Sequence, residues 1–124
     1  MPLDPRPEQW LRIYHLMALL CVSLIAAGQV LFKLTANSIN GAGTVLDRSV
    51  VSLSLASLLI YGMATLFWVF LLQTAPLSRA YPYMALSFVI VGLASWAYFQ
   101  EPLSGLYIAG LTLVVLGIVM IAAA

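Results

Sequence analysis

The sequence predicts an all-α membrane protein built from four transmembrane helices. Composition is the first indication. Of 124 residues, 64% are hydrophobic and 7% are charged, where soluble domains carry roughly 25% charged residues, and the mean hydropathy is +1.07. The second is segmentation: four apolar runs, each about 20 residues long and so able to cross a bilayer, are separated by polar, Gly- and Pro-bearing stretches. The third is periodicity, since the runs lack the alternation over about 10 residues that marks a membrane strand. Four spans leave room only for short loops and ends, which divides the chain into an N-terminal interfacial segment over 1–12 and a four-helix domain over 13–124.

The first span is expected over 13–34, about 33 Å at the helical rise per residue. Arg6 and Arg12 ahead of an apolar run with small residues at Ile25-Ala26-Ala27 imitate a cleaved leader, but the run continues past them and is expected to be retained. Residues 35–49 carry Asn37, Asn40-Gly41, Gly43, Asp47 and Arg48 and read as the longest connection. The second span, over 50–72, opens with spaced serines whose hydroxyls can bond to preceding carbonyls. In Gln73-Thr74-Ala75-Pro76-Leu77-Ser78-Arg79, Pro76 ends one helix and Ser78 is placed to cap the next, with Pro82 tolerated in its first turn. The third span covers 80–99. After Gln100-Glu101-Pro102-Leu103, Ser104 is the natural cap of a fourth span over 105–124, which has no charge at all. Arg6, Arg12 and Arg79 fall on one side of the membrane, Lys33 and Arg48 on the other, so the positive-inside rule places both ends in the cytoplasm by a margin of one residue.

Several function classes are excluded at this level. A formal net charge of +1, without a basic cluster, cannot neutralise several phosphates, so nucleic acid is not a partner. Cys21, alone in an apolar segment, builds neither an intrachain disulfide nor a zinc site and reads as a small hydrophobe. One histidine, His15, one cysteine and scattered carboxylates supply no nucleophile, base or metal cluster, so neither enzyme activity nor a cofactor is expected.

The polar residues inside the spans carry the functional reading. Gln29 and Lys33, four residues apart, point the same way from the first helix. An uncompensated ammonium at the bilayer centre costs at least about 2.5 kcal/mol, so Lys33 either snorkels to the headgroups or lines a wet cleft where it can bind a phosphate or another anion. The deeper Gln29 amide needs partners between helices. Tyr61, Thr65 and Trp68 share a face that could close around a polar headgroup, although Trp68 also suits an interfacial anchor. Tyr81 and Tyr83 open the third span and Trp96, Tyr98 and Phe99 close it, as an aromatic belt does. Ser87, Gly92 and Ser95 are small enough for close helix approach. Glu101 reads either as a headgroup-level turn residue or as a partner for a cationic substrate group or a basic residue of another chain. Arg79 is a loop base that could grip a lipid phosphate. Gly110 and Gly117 fall on one face of the fourth helix and suit either a dimerisation groove or ordinary packing within the chain.

Gly28-Gln29-Val30-Leu31-Phe32-Lys33, Ala75-Pro76-Leu77-Ser78-Arg79-Ala80-Tyr81-Pro82, Glu101-Pro102-Leu103-Ser104 and the Gly110/Gly117 pair together resemble the small four-helix members of the drug/metabolite transporter superfamily. Within it the likeness is strongest to the aminoarabinose-phosphoundecaprenol flippase subunits, with the small multidrug resistance family as the sister group. The resemblance implies a small multidrug resistance-like bundle, multi-pass in the bacterial inner membrane. It also implies a part in lipid transport and lipid A modification, and work as a homodimer or as a heterodimer with a related small subunit. By the same resemblance, Gln29, Lys33, Tyr81 and Glu101 handle the headgroup of an undecaprenyl phosphate bearing an amino sugar, while Gly110 and Gly117 mediate subunit contact. The sister family exchanges protons for hydrophobic cations through a membrane-embedded glutamate. That position matches Ile25 here, and an isoleucine carries no proton. The expected function is therefore that of a flippase for a polyprenyl-phosphate-linked sugar in contact with membrane lipids. Export of small hydrophobic or amine metabolites is the first alternative, and a non-transporting structural subunit is the second.

Overall fold

The structure, a computed structural model, describes residues 7–124, with side chains from 12 onward; most of the segment expected over 1–12 lies outside the described side chains. Its elements are α1 (Pro7–Ala42), α2 (Arg48–Leu72), a one-turn α3 (Leu77–Ala80), a 3-10 turn (Tyr81–Ala85), α4 (Leu86–Tyr98) and α5 (Gly105–Ala123). Four segments are long and apolar enough to cross a membrane: Arg12–Ala42, Arg48–Leu72, Leu77–Tyr98 and Gly105–Ala123. The all-α, four-helix class that composition and segmentation predict is the class observed.

Helices α1 and α2 form an antiparallel hairpin that holds most of the buried residues. Val50, Ser57, Ala64 and Leu71 are the buried residues of α2, a seven-residue repeat that keeps one seam on its neighbour. Ala18, Cys21, Val22 and Ala26 are the buried counterparts on α1. Small side chains dominate this seam because, in lipid, helices gain little from the hydrophobic effect and associate by close backbone packing instead. The Cys21 thiol donates to the Ala64 carbonyl at 3.3 Å, and the Ser57 hydroxyl donates back to Leu53 at 2.7 Å, so both polar atoms are satisfied inside the seam.

The first connection is shorter than the sequence suggests. Instead of a loop over 35–49, α1 continues through Asn37, Asn40 and Gly41 and stops only at Gly43, whose φ of +72° takes the left-handed conformation that ends helices. Its amide donates to the Ile39 carbonyl at 2.8 Å. Within this continuous helix the Thr35 hydroxyl donates back to the Leu31 carbonyl at 2.8 Å. Asp47 then caps α2 by accepting from the Ser49 amide at 3.1 Å.

A second departure lies in the third span. Pro76 opens α3 without a side-chain cap, and Ser78, expected as the cap, sits inside that turn. Pro82 has no N–H to donate and its ring crowds the carbonyl four residues earlier, so the backbone tightens to 3-10 geometry over Tyr81–Ala85. Regular helix resumes at α4. At the far end Ser104 caps α5 as expected, accepting from the Tyr107 amide at 3.1 Å. Gly92 provides the close approach of α4 to α5: a Cβ there would lie 2.8 Å from the Tyr107 hydroxyl. α5 also lies against the Tyr81–Ala85 turn, yet none of its residues is buried.

Candidate functional site

The polar side chains gather at two levels along α1. At the first, Gly28 lets the Tyr61 ring lie directly across α1, since a methyl at Gly28 would overlap ring carbons. Phe32 stacks on the same ring with centroids 5.0 Å apart and planes 27° from parallel. That placement brings the Tyr61 hydroxyl to Gln29, whose amide Nε2 donates to it. One turn further, Lys33 Nζ lies 3.5 Å from Glu101 Oε1. Gln29, Lys33, Tyr61 and Glu101, expected from three separate parts of the sequence, are thus brought together by α1, α2 and the α4–α5 loop.

Glu101 meets a basic residue of its own chain, and the Lys33 ammonium has that carboxylate as its counter-charge. Their side chains are 49% and 46% exposed, so the attraction is worth no more than about 1 kcal/mol where water reaches it and either partner stays available to an incoming charge. Glu101 is held by its backbone as much as by Lys33. Both the Phe99 and Glu101 amides donate to the Ser95 carbonyl at 3.1 Å, across Gln100 at a φ of +55°.

The second level lies at the other end of the hairpin. Trp68 packs with Tyr14 and Tyr83 on a core of Ala18, Leu71 and Ala80. Tyr14 and Tyr83 meet edge to face, centroids 5.7 Å apart, and the Tyr83 hydroxyl is hydrogen-bonded to His15 Nδ1. Among the described residues the buried Tyr14 hydroxyl has no hydrogen-bond partner. Arg79, on α3 next to the buried Ala80 of that core, is exposed.

The face proposed for Tyr61, Thr65 and Trp68 therefore divides: Tyr61 serves the first level, Trp68 the second, and Thr65 spends its hydroxyl on the Tyr61 carbonyl at 2.8 Å. Tyr81 is 63% exposed and joins neither aromatic group; Tyr83 takes the inward place. The sequence names His15 only as a lone histidine and Tyr83 only as belt, and gives no signal for Tyr14, because His15 and Tyr83 are separated by 68 residues and meet only through the fold. Gly110 and Gly117 are open, a Cβ at either meeting nothing within 4 Å among the described residues. Among the described residues no three His, Cys, Asp or Glu side chains gather into a group that could hold a metal ion.

No protein-family model and no solved structure matches the chain. Curated relatives do. The "Probable 4-amino-4-deoxy-L-arabinose-phosphoundecaprenol flippase subunit ArnE" of Sodalis glossinidius (strain morsitans) is 38% identical over 104 residues, 84% of this chain and 92% of that protein. Its namesake from Salmonella agona (strain SL483) is 32% identical over 108 residues, covering 87% and 96%. The one from Pseudomonas aeruginosa (strain UCBPP-PA14) is 43% identical over 65 residues, about half of each chain at 52% and 56%. With identities above 30% sustained over more than four fifths of this chain in the first two, this chain belongs to the family of ArnE-like flippase subunits, membrane proteins whose function is transport.

Proposed function

We propose that the chain is a subunit of a flippase that moves a polyprenyl-phosphate-linked amino sugar across the bacterial inner membrane. The observation that carries this reading is the half-exposed Lys33–Glu101 pair beside the Gln29–Tyr61 hydrogen bond. An amino-sugar phosphate has an anion and a cation of its own. Lys33 takes the phosphate, Glu101 takes the ammonium, and the Gln29 amide with the Tyr61 hydroxyl meets the sugar hydroxyls. One internal ion pair is exchanged for two with the ligand, so no charge is left uncompensated as the headgroup leaves water. The tail stays in lipid, beside the apolar groove lined by Met17, Met63, Leu66, Phe67 and Phe70, whose methionines adapt to an irregular chain.

Arg79 is the cation for the headgroup at the opposite level. The open Gly110/Gly117 face of α5 receives a second copy or a related small subunit. Ile25 stands where a proton-carrying acid would be needed, so coupling to protons through that position has no chemical basis. Lys33→Ala is expected to lower translocation of the lipid-linked amino sugar in proteoliposomes about tenfold, the loss of one charge-assisted contact, with insertion unchanged. Transport at the parental rate would reject the role of Lys33. The same exposed Glu101 carboxylate supports one second reading, export of a small amine metabolite, which predicts transport of an amine that has no lipid tail.

A further inference from the structure

We propose that Tyr14, His15, Tyr83 and Arg79 form a second phosphate-binding station, taking the phosphate of a membrane lipid at the bilayer face opposite the Lys33–Glu101 pair. This rests on the function proposed above, which gives Arg79 the headgroup at the opposite level, and deepens it by naming the side chains that would hold the phosphate there. The placement is set by helix length. Lys33 follows His15 by 18 residues on one continuous helix, about 27 Å at 1.5 Å per residue, close to the roughly 30 Å of a hydrocarbon core. With one site at one headgroup level, the other is therefore at the opposite one.

The donors suit a tetrahedral anion. Among the described residues the buried Tyr14 hydroxyl has no hydrogen-bond partner, a condition that native proteins avoid unless something else meets the group. When Tyr83 donates to His15 Nδ1, the imidazole proton sits on Nε2 and is free to donate in turn. Arg79 adds a planar, permanently charged fork, the geometry that matches phosphate oxygens. Arg12, one turn before His15 and exposed, lies on the same side of α1. Among the described residues neither arginine is within an ion pair, the pair found being Lys33–Glu101. The aromatic packing of Tyr14 and Tyr83 at 5.7 Å fixes the hydroxyls before any ligand arrives, which limits the entropy lost on binding.

His15 is the single histidine of the sequence, so nitrogen-labelled histidine gives an NMR signal from this site alone. The experiment uses the full chain in maltoside micelles, which carry no phosphate, titrated separately with undecaprenyl phosphate, phosphatidylglycerol and inorganic phosphate. A saturable shift of the His15 imidazole with undecaprenyl phosphate, alone or together with phosphatidylglycerol, is expected. Tyr14→Phe and Arg79→Gln are each expected to weaken it about tenfold, and Lys33→Gln to leave it as in the parent. Tyr14→Phe keeps the ring and its packing, so it decides the matter if Arg79→Gln does not fold. The proposal is overturned if neither lipid shifts the resonance, if the shift is unchanged in Tyr14→Phe, or if Lys33→Gln abolishes it. An equal response to inorganic phosphate overturns the assignment to a lipid.

Discussion

Gly28 shows how much of the site hangs on a missing side chain. A glycine inside a helix costs about 1 kcal/mol relative to alanine, and here it is buried beneath the Tyr61 ring. The space it leaves seats the ring that Phe32 stacks on and whose hydroxyl Gln29 holds. Gly28→Ala gains helix propensity but forces the ring aside, so the substitution is expected to be destabilising by about 1–3 kcal/mol net, the usual range for overpacking, and to lower the thermal midpoint in detergent. In a Tyr61→Ala background the same substitution should be neutral or stabilising, because the obstacle has gone; the double-mutant cycle isolates that contact. A Gly28→Ala protein that melts at or above the parent would show that the ring is not seated there. The spacing of Gln29 and Lys33 is readable in the sequence because four residues make one helical turn. Their partners are not, since Tyr61 and Glu101 reach them across helix crossings that no local pattern encodes.

At the scale of elements, hydropathy locates all four spans because each must be apolar over a bilayer's thickness, whereas their ends obey weaker forces. Asn37, Asn40 and Gly41 carry turn propensity of only a fraction of a kcal/mol to about 1 kcal/mol each, and a helix already running past Thr35 overrides them. Gly43 stops α1 because its backbone turns left-handed. Pro82 is legible as a constraint, but sequence alone does not reveal that the tightening extends to Ala85. The α4–α5 loop uses the same device as Gly43 with a less suitable residue, Gln100 at a φ of +55°. A side chain in this region costs about 1–2 kcal/mol, part of which glycine returns through its freer unfolded state. Gln100→Gly is therefore expected to stabilise the protein by about 1 kcal/mol and to raise the thermal midpoint with helix content unchanged. A lower midpoint would mean that the Gln100 side chain makes a compensating contact. Because Glu101 follows directly, the position of the Lys33 partner depends on this turn.

The whole molecule is unevenly consolidated. Most buried residues belong to the α1–α2 hairpin, α4 lies against α1, and α5 contributes none. An uncharged helix needs no protein cover in lipid, so exposure of Leu106, Leu113, Leu116 and Met120 carries no solvation penalty there. The glycines are a different matter. On a membrane helix, backbone left bare at Gly110 and Gly117 forgoes the van der Waals contact that drives helix association, and none of the described residues supplies it. Two polar clusters about 27 Å apart along α1 lie on a hairpin against which α4 packs, while α5 lies outside against α4 and the Tyr81–Ala85 turn. A second four-helix chain seated on the glycine face would supply the missing packing. Gly117→Leu fills that face with a branched side chain and leaves hydropathy, insertion and the α1–α2 seam untouched. It is expected to weaken self-association, or association with a related subunit, about tenfold, measured by energy transfer between labelled chains in lipid and by sedimentation in detergent. Gly110→Leu should act in the same direction. Association unchanged in both variants would place the subunit contact on another helix and leave the open glycines without a partner.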